Sequence, residues 1–244
     1  EELSRLMESE REALQSNKEM IACLAHDLRT PLTSLSGYLN LAMDTERYNM
    51  EQRQHFAEVA AQKVDRLEGL IQDLFDYTKL MSGEITLHRH RIDFVKLIEQ
   101  MIEEFYPLLE ENKLTCHFQT NCRELEIEVD PDLMARAVQN LLSNAVKYGR
   151  DGKQIIIRLE QEQNVMFSVT NYGLIIPEES LDMIFERFYR VEGARSPGTG
   201  GTGLGLNIAK EIIMLHGGTI AVESSLQGTV FSVEIPLEKI TEDA

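Results

Sequence analysis

The stretch His26-Asp27-Leu28-Arg29-Thr30-Pro31-Leu32 lies within a long helical pattern that decides how the first third of the chain folds. Around it, apolar residues recur at alternating spacings of three and four, which is the heptad pattern of helices that pack along a seam. The seam residues are Ile21, Leu24, Leu28, Pro31, Leu35, Tyr38 and Ala42. Counted from Ile21 as the first heptad position, His26 falls opposite the seam, and we therefore expect its imidazole to face solvent.

The neighbours of His26 indicate a reactive imidazole. Asp27 can accept a hydrogen bond or a proton from the ring, which raises the nucleophilicity of the far ring nitrogen. Thr30 lies one helical turn further on the same face, where its hydroxyl can orient a water for in-line attack on a phosphoryl group. Pro31 lacks an amide hydrogen and predicts a bend just past His26. On this heptapeptide alone, a surface histidine in a charged helix remains an alternative.

A second helical pattern follows the first and predicts a hairpin. Its apolar stripe contains Phe56, Ala60, Leu67, Leu70, Leu74, Tyr77 and Met81. The polar stretch 44–51 separates the two patterns, so the helices should run antiparallel. Two helices cannot bury such wide stripes by themselves, and we expect two copies of the chain to form a four-helix bundle. Ser82-Gly83 ends the helical pattern and predicts a boundary between domains 1–82 and 83–244.

The second predicted domain mixes helices with short strands. We predict helices at about 93–111, 131–148, 177–186 and 204–216, and strands near 114–120, 124–129, 154–160, 164–170, 219–224 and 229–236. Asp130-Pro131 combines a preferred N-cap residue with proline at the first helical position, and Gly149 follows the end of that helix. The predicted fold class is α+β: a two-helix hairpin followed by a compact α/β sandwich.

Two asparagines in the predicted helix 131–148 are candidate ligands for a nucleotide and its metal. Asn140 and Asn144 are four residues apart, so their side chains share one helix face, which Lys147 and Tyr148 extend. Amide oxygens suit Mg²⁺, which prefers oxygen ligands and usually keeps waters and phosphate oxygens as well. Lys147 would then meet the phosphates as a point charge. A pair of capping or surface asparagines remains the alternative.

A glycine-rich loop precedes the helix at 204–216. The stretch 198–206 reads Gly-Thr-Gly-Gly-Thr-Gly-Leu-Gly-Leu, and its bare backbone N–H groups next to a helix N-terminus favour anion binding. The predicted phosphate-contacting residues are Gly201, Thr202, Gly203, Leu204 and Gly205. The spacing fits neither the Walker pattern nor the dinucleotide fingerprint. The segment is either a mobile surface loop or a lid that closes over a bound nucleotide.

Two further segments complete the predicted nucleotide site. Asn171 ends an apolar strand, where its side chain can face the amino group of adenine, and Gly173 permits close approach of the backbone. Arg187 and Arg190 follow phenylalanines and can add positive charge near the phosphates.

Composition excludes several classes of function. The formal net charge is −17, and phosphate backbones and anionic lipids repel such a surface, which argues against nucleic-acid binding. Cys23, Cys116 and Cys122 form no zinc or disulfide pattern, which indicates a reducing compartment. No apolar run reaches the roughly 18 residues that a membrane span needs. We expect a trimmed soluble fragment without membrane contact, whose parent is membrane-anchored.

Taken together, these motifs resemble the cytoplasmic catalytic core of a sensor histidine kinase from a bacterial membrane sensor. Residues 26–32 resemble the H box of that family, 140–148 the N box, 185–189 the F box and 199–206 the G2 box. The resemblance covers essentially the whole chain in the right order. Three segments resemble VanS-type kinases of vancomycin resistance: Leu24-Ala25-His26-Asp27, Glu104-Phe105-Tyr106-Pro107 and Phe188-Tyr189-Arg190.

The resemblance implies a dimerisation and phospho-acceptor domain followed by a gyrase/Hsp90-like ATP-binding domain. It implies that His26 attacks the γ-phosphate of Mg-ATP with Asp27 as base, while Asn144, supported by Asn140, binds Mg²⁺. The phosphoryl group would pass to an Asp in the receiver domain of a response regulator. Thr30 stands where the family places its phosphatase residue, so phosphatase activity toward that regulator is also implied. The implied assembly is a homodimer in the cytoplasm.

One segment departs from the family. The G1 box usually reads Asp-x-Gly-x-Gly, and here Asn171 and Ile175 replace the Asp and the second Gly. Asn171 still offers one carbonyl acceptor to adenine. This departure motivates a first alternative, a nucleotide-binding scaffold without kinase activity. The second alternative is a gyrase/Hsp90-type ATPase, a class that activates water with a Glu where this chain has Asn140.

Overall fold

The computed structural model describes residue 11 and residues 25–81, 86–191 and 202–237. The chain forms two compact units, Glu1–Phe75 and Asp76–Ala244. The predicted domain boundary between residues 82 and 83 lies outside the described residues and stays a prediction. Seam residues Ile21 and Leu24 lie outside them too.

The first unit contains the predicted helical hairpin. Helix α1 occupies residues 25–43 of the described chain, and helix α2, Met50–Met81, begins in this unit and ends in the second. Asp44 closes the connecting turn by accepting hydrogen bonds from two following backbone amides. Asn49 and Gln52 then cap α2 reciprocally, since each side chain accepts from the backbone N–H of the other at 2.9 and 3.1 Å. Local capping therefore reverses the chain where the polar stretch predicted it.

The apolar stripes of the hairpin are buried only in part. Pro31, Ala60 and Leu70 are buried, as the seam pattern predicts. Met81 was expected on the buried stripe, but its side chain is 45% exposed because it lies at the last position of α2. Other large apolar side chains that stay exposed on the single chain are Leu32, Leu39, Met43, Met50, Val64, Ile71 and Phe75. None of the described helices is long and apolar enough to cross a bilayer.

The second unit is a sandwich of helices on a sheet. Its strands are β1 (His90–Asp93), β2 (Thr115–Thr120), β3 (Glu126–Val129), β4 (Gln154–Gln161), β5 (Val165–Asn171), β6 (Thr219–Ser225) and β7 (Gly228–Ile235). Its helices are α3 (Phe94–Glu111), α4 (Pro131–Tyr148), α5 (Glu178–Leu181) and α6 (Gly205–Leu215). Within the described chain, five strands form one sheet in the order β2-β4-β5-β7-β6, and β1 pairs with β3. Strands β2 and β4 are parallel, and the other neighbours are antiparallel.

The core of this unit lies between the sheet and helices α3, α4 and α6. Alternate residues of the central strand β5, including Phe167 and Val169, are buried on the helix-covered face. Phe94 of α3 meets Phe167 edge to face, with ring centroids 6.1 Å apart. From α4, Leu141 and Ala145 are fully buried. The predicted hairpin followed by an α/β sandwich is therefore confirmed.

Two details of the second unit differ from the sequence prediction. The sequence does not predict strand β1, because its residues His90–Asp93 include one apolar side chain and so show no alternation. The helix predicted at 177–186 forms only two short pieces, α5 and a 3₁₀ turn at Met183–Phe185. Neither piece has a side-chain N-cap, and such short helices are marginal without one. The N-cap at Asp130, in contrast, forms as predicted and accepts a hydrogen bond from Leu133 N at 3.2 Å.

Candidate functional site

His26 faces solvent on α1, as the heptad position predicts. Its side chain is 78% exposed, and its Nδ1 lies 3.2 Å from Oδ1 of Asp27. An ionised carboxylate can only accept a hydrogen bond, so Nδ1 is the donor and the lone pair is left on Nε2. The outward nitrogen of the ring is therefore the nucleophilic one.

Thr30 lies one turn after His26 on the same helix. Its hydroxyl donates to the backbone carbonyl of His26 at 3.3 Å. This bond occupies the only hydrogen of the hydroxyl but leaves oxygen lone pairs that can accept from a water. His26 and Thr30 are thus connected through the helix backbone as well as through their shared face.

The asparagine pair of α4 lies where the helix meets the start of α6. Asn140 is 9% exposed, and its Nδ2 has no hydrogen-bond partner within the described residues. Its Oδ1 would be 3.2 Å from a Cβ added at Gly205, so glycine at that position lets the first turn of α6 approach the amide. Asn144 is half-buried one turn further along α4. A buried amide with an orphaned polar atom is a place where a polar ligand can bind.

The segment that follows β5 packs against the end of α4. Asn171, the last residue of β5, is 2% exposed. A Cβ at Gly173 would lie only 1.9 Å from the backbone oxygen of Tyr148, so only glycine allows the observed approach. Further on, Ile176 N donates to Ser224 Oγ at 2.9 Å and fixes the departing loop to β6. Although Ile175 replaces the second glycine of the G1 pattern, the backbone contacts of Gly173 and Ile176 hold the segment on both sides of it.

The phenylalanine segment 185–189 is tied to the glycine-rich loop. The backbone N–H of Phe188 donates to the carbonyl of Gly203 at 3.0 Å, and Asn207 Nδ2 donates to the carbonyl of Phe185 at 3.0 Å. Phe188 has φ of 61° and Gly203 has φ of 72°. A bulky residue rarely adopts the left-handed region, so the backbone at Phe188 is strained. Such strain is common at binding sites, where the surrounding bonds enforce it.

The described part of the glycine-rich loop leads directly into α6. Thr202 and Leu204 are buried, and Thr202 Oγ1 accepts from Leu204 N at 3.1 Å. Gly205 is the first residue of α6. Gly201, which we expect to contact phosphate, lies outside the described residues. The backbone donors at 202–205 therefore stand at a helix N-terminus, the arrangement that favours anions.

Positive charge gathers at the end of α4. Lys147 Nζ lies 4.8 Å from the ring centroid of Tyr148. Burial raises the pKa of Tyr148, and the nearby charge of Arg190 opposes this rise. The phenol therefore stays protonated at neutral pH and can donate a hydrogen bond. Lys147 and Arg190 thus both lie near Tyr148, and their contact with phosphate stays a prediction.

The last turn of α2 packs within the second unit, a contact that the sequence did not reveal. Asp76 accepts a hydrogen bond from Arg136 Nε at 2.6 Å, between largely buried side chains. Tyr77 is buried, with Phe188 edge to face at 6.4 Å and the guanidinium of Arg187 5.4 Å from its ring centroid. Arg187, predicted near phosphate, therefore contacts the end of α2. Partners so far apart along the chain leave no local sequence signal.

A buried histidine joins the two helices of the site at their ends. His216 follows α6 and is 4% exposed. Its Nε2 accepts from Asp130 N at 3.0 Å, and its Nδ1 lies 2.8 Å from the carbonyl of Ile212. Asp130 Oδ2 in turn accepts from His88 N at 2.9 Å. Since Nε2 accepts and Nδ1 donates, this network needs the neutral imidazole.

We expect His216 to make the stability of the second unit fall in mild acid. Burial lowers its pKa below the ordinary value; the Ile212 carbonyl and Asp130 oppose this shift, and Arg89 adds to it. Below about pH 6.5, the His216 imidazole therefore binds a proton in the unfolded chain but stays neutral in the folded chain until the pH reaches its lowered folded pKa. Stability should decrease by up to ~1.4 kcal/mol per pH unit down to the lowered folded pKa.

Urea unfolding at pH 7.5 and 5.5 measures this effect. His216→Gln keeps one donor and one acceptor but cannot titrate, so its stability should depend less on pH than that of the unmodified chain. The exposed residue His117 provides the control, because His117→Gln should leave the pH dependence unchanged. An equal pH dependence in His216→Gln and the unmodified chain would contradict the role of this network.

The donors present fit a nucleotide with Mg²⁺. No group of three or more His, Cys, Asp or Glu side chains that could hold a metal occurs among the described residues. A magnesium ion here would instead be held by amide oxygens of α4, phosphate oxygens and waters, a set that this ion accepts. The unpaired Nδ2 of Asn140 can donate to a phosphate oxygen or a water, Asn171 can meet a base, and the helix N-terminus at the start of α6 can face the phosphates.

Two family models match the chain. Residues 16–83 match the His Kinase A (phospho-acceptor) domain. Residues 129–239 match the histidine kinase-, DNA gyrase B- and HSP90-like ATPase. The first match includes His26 and the hairpin, and the second includes α4, β5 and α6.

Curated sensor proteins are similar to the chain over most of its length. It is 39% identical to sensor protein VanSC of Enterococcus gallinarum over 227 residues, which are 93% of this chain and 62% of that protein. It is 40% identical to sensor protein VanS of Enterococcus faecium over 225 residues, 92% of this chain and 58% of that protein. The chain thus spans about three fifths of the length of these relatives.

Solved structures share the fold. The catalytic domain of histidine kinase ThkA is 31% identical with a TM-score of 0.56, and the match covers 62% of this chain and 96% of that one. Histidine kinase ThkA in complex with the response regulator protein TrrA is 28% identical with a TM-score of 0.74, covering 93% of this chain and 64% of that one.

Proposed function

Since this chain belongs to the sensor histidine kinase family, we propose that it transfers the γ-phosphoryl group of ATP to its own His26. The likeness to VanS-type sensor kinases that the sequence predicts is confirmed. One observation carries the proposal: an exposed imidazole with a carboxylate at its Nδ1 stands on a chain that also has the ATPase fold.

The hydrogen bond between His26 and Asp27 determines which ring nitrogen attacks the phosphorus. Because Nδ1 donates to the carboxylate, Nε2 holds the lone pair that attacks the γ-phosphorus. The N–P bond forms as the bond from phosphorus to the bridging oxygen breaks, and the electron pair of that bond leaves with ADP. The ring becomes positively charged, and Asp27 stabilises this charge and can accept the Nδ1 proton.

The second unit holds the nucleotide in this proposal. Asn144, supported by Asn140, binds Mg²⁺, which when bound neutralises charge on the phosphates. Lys147 and the backbone of 201–205 hold the phosphates, with Arg187 and Arg190 as nearby positive charge and Tyr148 as a donor. Asn171 meets the base, and Gly173 keeps the backbone close to α4. The buried, unpaired Nδ2 of Asn140 supports a nucleotide at this place, because it can donate to a phosphate oxygen or a water.

The proposed partners are a second copy of the chain and a response regulator. The exposed apolar side chains of the hairpin support a homodimer with a four-helix bundle, because a bundle would cover them. The similar structure of ThkA contains a response regulator protein, which supports transfer of the phosphoryl group to an Asp of a receiver domain. We place the chain on the cytoplasmic side of a membrane-anchored parent, without membrane or nucleic-acid contact of its own.

Incubation of the chain with Mg²⁺ and γ-labelled ATP tests the proposal. The expected product is a labelled chain that loses its label in acid and keeps it in base, as a phosphohistidine does. Addition of a cognate receiver domain should then move the label to that domain. Nucleotide binding without any label would favour the scaffold alternative, which the altered residues Asn171 and Ile175 motivate. ATP turnover that survives loss of His26 would favour the gyrase/Hsp90-type ATPase.

Thr30 should carry a separate phosphatase activity. In our proposal its oxygen accepts from the water that attacks the phosphorylated regulator, so Thr30→Ala should slow dephosphorylation by about a hundredfold, in the range of a lost positioning group. Release of phosphate from a phosphorylated receiver domain measures this. Thr33 offers a matched control, since its hydroxyl also bonds back to the helix, at 2.9 Å from the Arg29 carbonyl. The prediction fails if Thr30→Ala dephosphorylates the regulator as fast as Thr33→Ala.

A further inference from the structure

The guanidinium of Arg187 is held by the last turn of α2, residues 76–81. Its central carbon lies 5.4 Å from the ring centroid of Tyr77, and its Nη2 donates to Sδ of Met81 at 3.0 Å. Both contacts are weak, because the face of a ring carries no formal charge and a thioether sulfur is a weak acceptor. A phosphate is a stronger partner, since it is anionic and can accept two parallel hydrogen bonds from a guanidinium.

Two further contacts fix the last turn of α2 within the second unit. Asp76 accepts from Arg136 Nε at 2.6 Å, and the two side chains are 18% and 20% exposed. Arg136 belongs to α4, the helix that carries the asparagine pair. Tyr77 is 6% exposed and meets the ring of Phe188 edge to face. The last turn of α2 therefore contacts both α4 and the segment 187–188.

The segment that carries Arg187 also lies next to the proposed phosphate site. A Cβ added at Gly203 would be 2.8 Å from Cα of Phe188, and Phe188 N donates to the carbonyl of Gly203. Since successive Cα atoms are roughly 3.8 Å apart, Cα of Arg187 lies within about 8 Å of Cα of Gly203. Gly203 comes shortly before Gly205, the first residue of α6, and a helix N-terminus favours anions. An extended arginine side chain spans roughly 6 Å, so it is long enough to reach a phosphate there.

The backbone at Phe188 supports two arrangements of this segment. In an extended chain, consecutive side chains point to opposite sides, but Arg187 and Phe188 both contact Tyr77. Phe188 has a φ of 61°, which costs free energy in a residue other than glycine. Such strain persists only where neighbouring contacts enforce it. Tyr77 supplies two of those contacts, so the segment can relax and release Arg187 when the last turn of α2 moves.

We propose that the last turn of α2 and the phosphates of the bound nucleotide compete for the guanidinium of Arg187. The inference rests on the proposed function, because it takes the phosphates to lie at the start of α6. Part of the free energy of nucleotide binding is then used to separate Arg187 from α2, which weakens the apparent affinity. By linkage, a bound nucleotide loosens the packing of the last turn of α2, and a displacement of that turn strengthens nucleotide binding by the same factor. The end of α2 thereby regulates the nucleotide site.

Calorimetric titration of the 244-residue chain with a non-hydrolysable ATP analogue tests the inference. Tyr77→Leu keeps an apolar side chain but removes the ring, so the analogue should bind about threefold to fivefold more tightly, the effect of one partly buried cation–π contact. Tyr77→Phe is the matched control, because it keeps the ring and should bind the analogue as the unmodified chain does. Met81→Leu replaces the thioether with a hydrocarbon in a side chain that is 45% exposed, so it should fold normally and bind about twofold more tightly.

The same substitutions in an Arg187→Gln background separate competition from a general structural effect. Without Arg187, neither Tyr77→Leu nor Met81→Leu should change the dissociation constant, since the coupling free energy belongs to the contacting pair. Unchanged or weaker binding by folded Tyr77→Leu overturns the inference and leaves the proposed function intact, as does equal tightening with and without Arg187. Met81→Leu decides the outcome in the same way if Tyr77→Leu does not fold. Failure of the unmodified chain to bind the analogue removes the proposed function itself.

Discussion

Replacing His26 with glutamine is expected to reduce the label that the chain takes from γ-labelled ATP to background, a loss of about a thousandfold or more. Removal of a covalent nucleophile removes the reaction path itself, and such losses are among the largest that single substitutions cause. Glutamine keeps an uncharged polar side chain on an exposed helix face but has no nucleophilic ring nitrogen. Because the His26 side chain is 78% exposed, the substitution removes little packing, and urea unfolding should show nearly unchanged stability.

His55 supplies the matched control for that experiment. It is also an exposed histidine, on α2, but the residues adjacent to it in sequence are Gln54 and Phe56 rather than an aspartate. His55→Gln should keep the full label, measured on the denatured chain before and after acid treatment. Full labelling of His26→Gln would place the acceptor elsewhere and contradict the proposed role of His26.

The elements that the sequence predicted well are those whose signal is local. The seam around His26 repeats over several heptads. The pair Asp130-Pro131 predicts both the N-cap and the first turn of α4. Hydrophobic spacing indicates which face of a helix is buried, and the exposure of His26 followed from it. Asn140 and Asn144 were found together for the same reason, because residues four apart share a helix face.

Contacts between residues far apart in the chain could not be predicted. Arg136 meets Asp76 across 60 residues of chain, and His216 meets Asp130 across 86. Helix and strand periodicity relates only residues a few positions apart, so it predicts neither contact. Composition marks His216 only as one histidine among six, and its role becomes visible when burial and its two hydrogen bonds are known. One further miss has a local cause, since the four residues of β1 include one apolar side chain and show no alternation.

The largest expected effect on the nucleotide site comes from a single methyl group at Gly173. In Gly173→Ala the new Cβ would be placed 1.9 Å from the backbone oxygen of Tyr148, a distance that no carbon and oxygen atoms tolerate without bonding. The obstacle is backbone at the end of α4, so no side-chain rotation relieves it. Either α4 or the segment after β5 must move, and both carry proposed nucleotide contacts. We expect ADP binding about a hundredfold weaker, since displacements near 1 Å cost that much at sites that need exact alignment.

Gly69→Ala separates this steric effect from the general effect of adding a methyl group. Gly69 lies within α2 with nothing within 4 Å of its would-be Cβ, and alanine is the better helix former. That variant should gain about 0.5–1 kcal/mol in urea unfolding and bind ADP unchanged. Gly173→Ala should instead lose stability, because packed backbone resists displacement. If folded Gly173→Ala bound ADP as tightly as Gly69→Ala, the contact between Gly173 and Tyr148 would not position the nucleotide, and the G1 segment would have to be assigned a purely structural role.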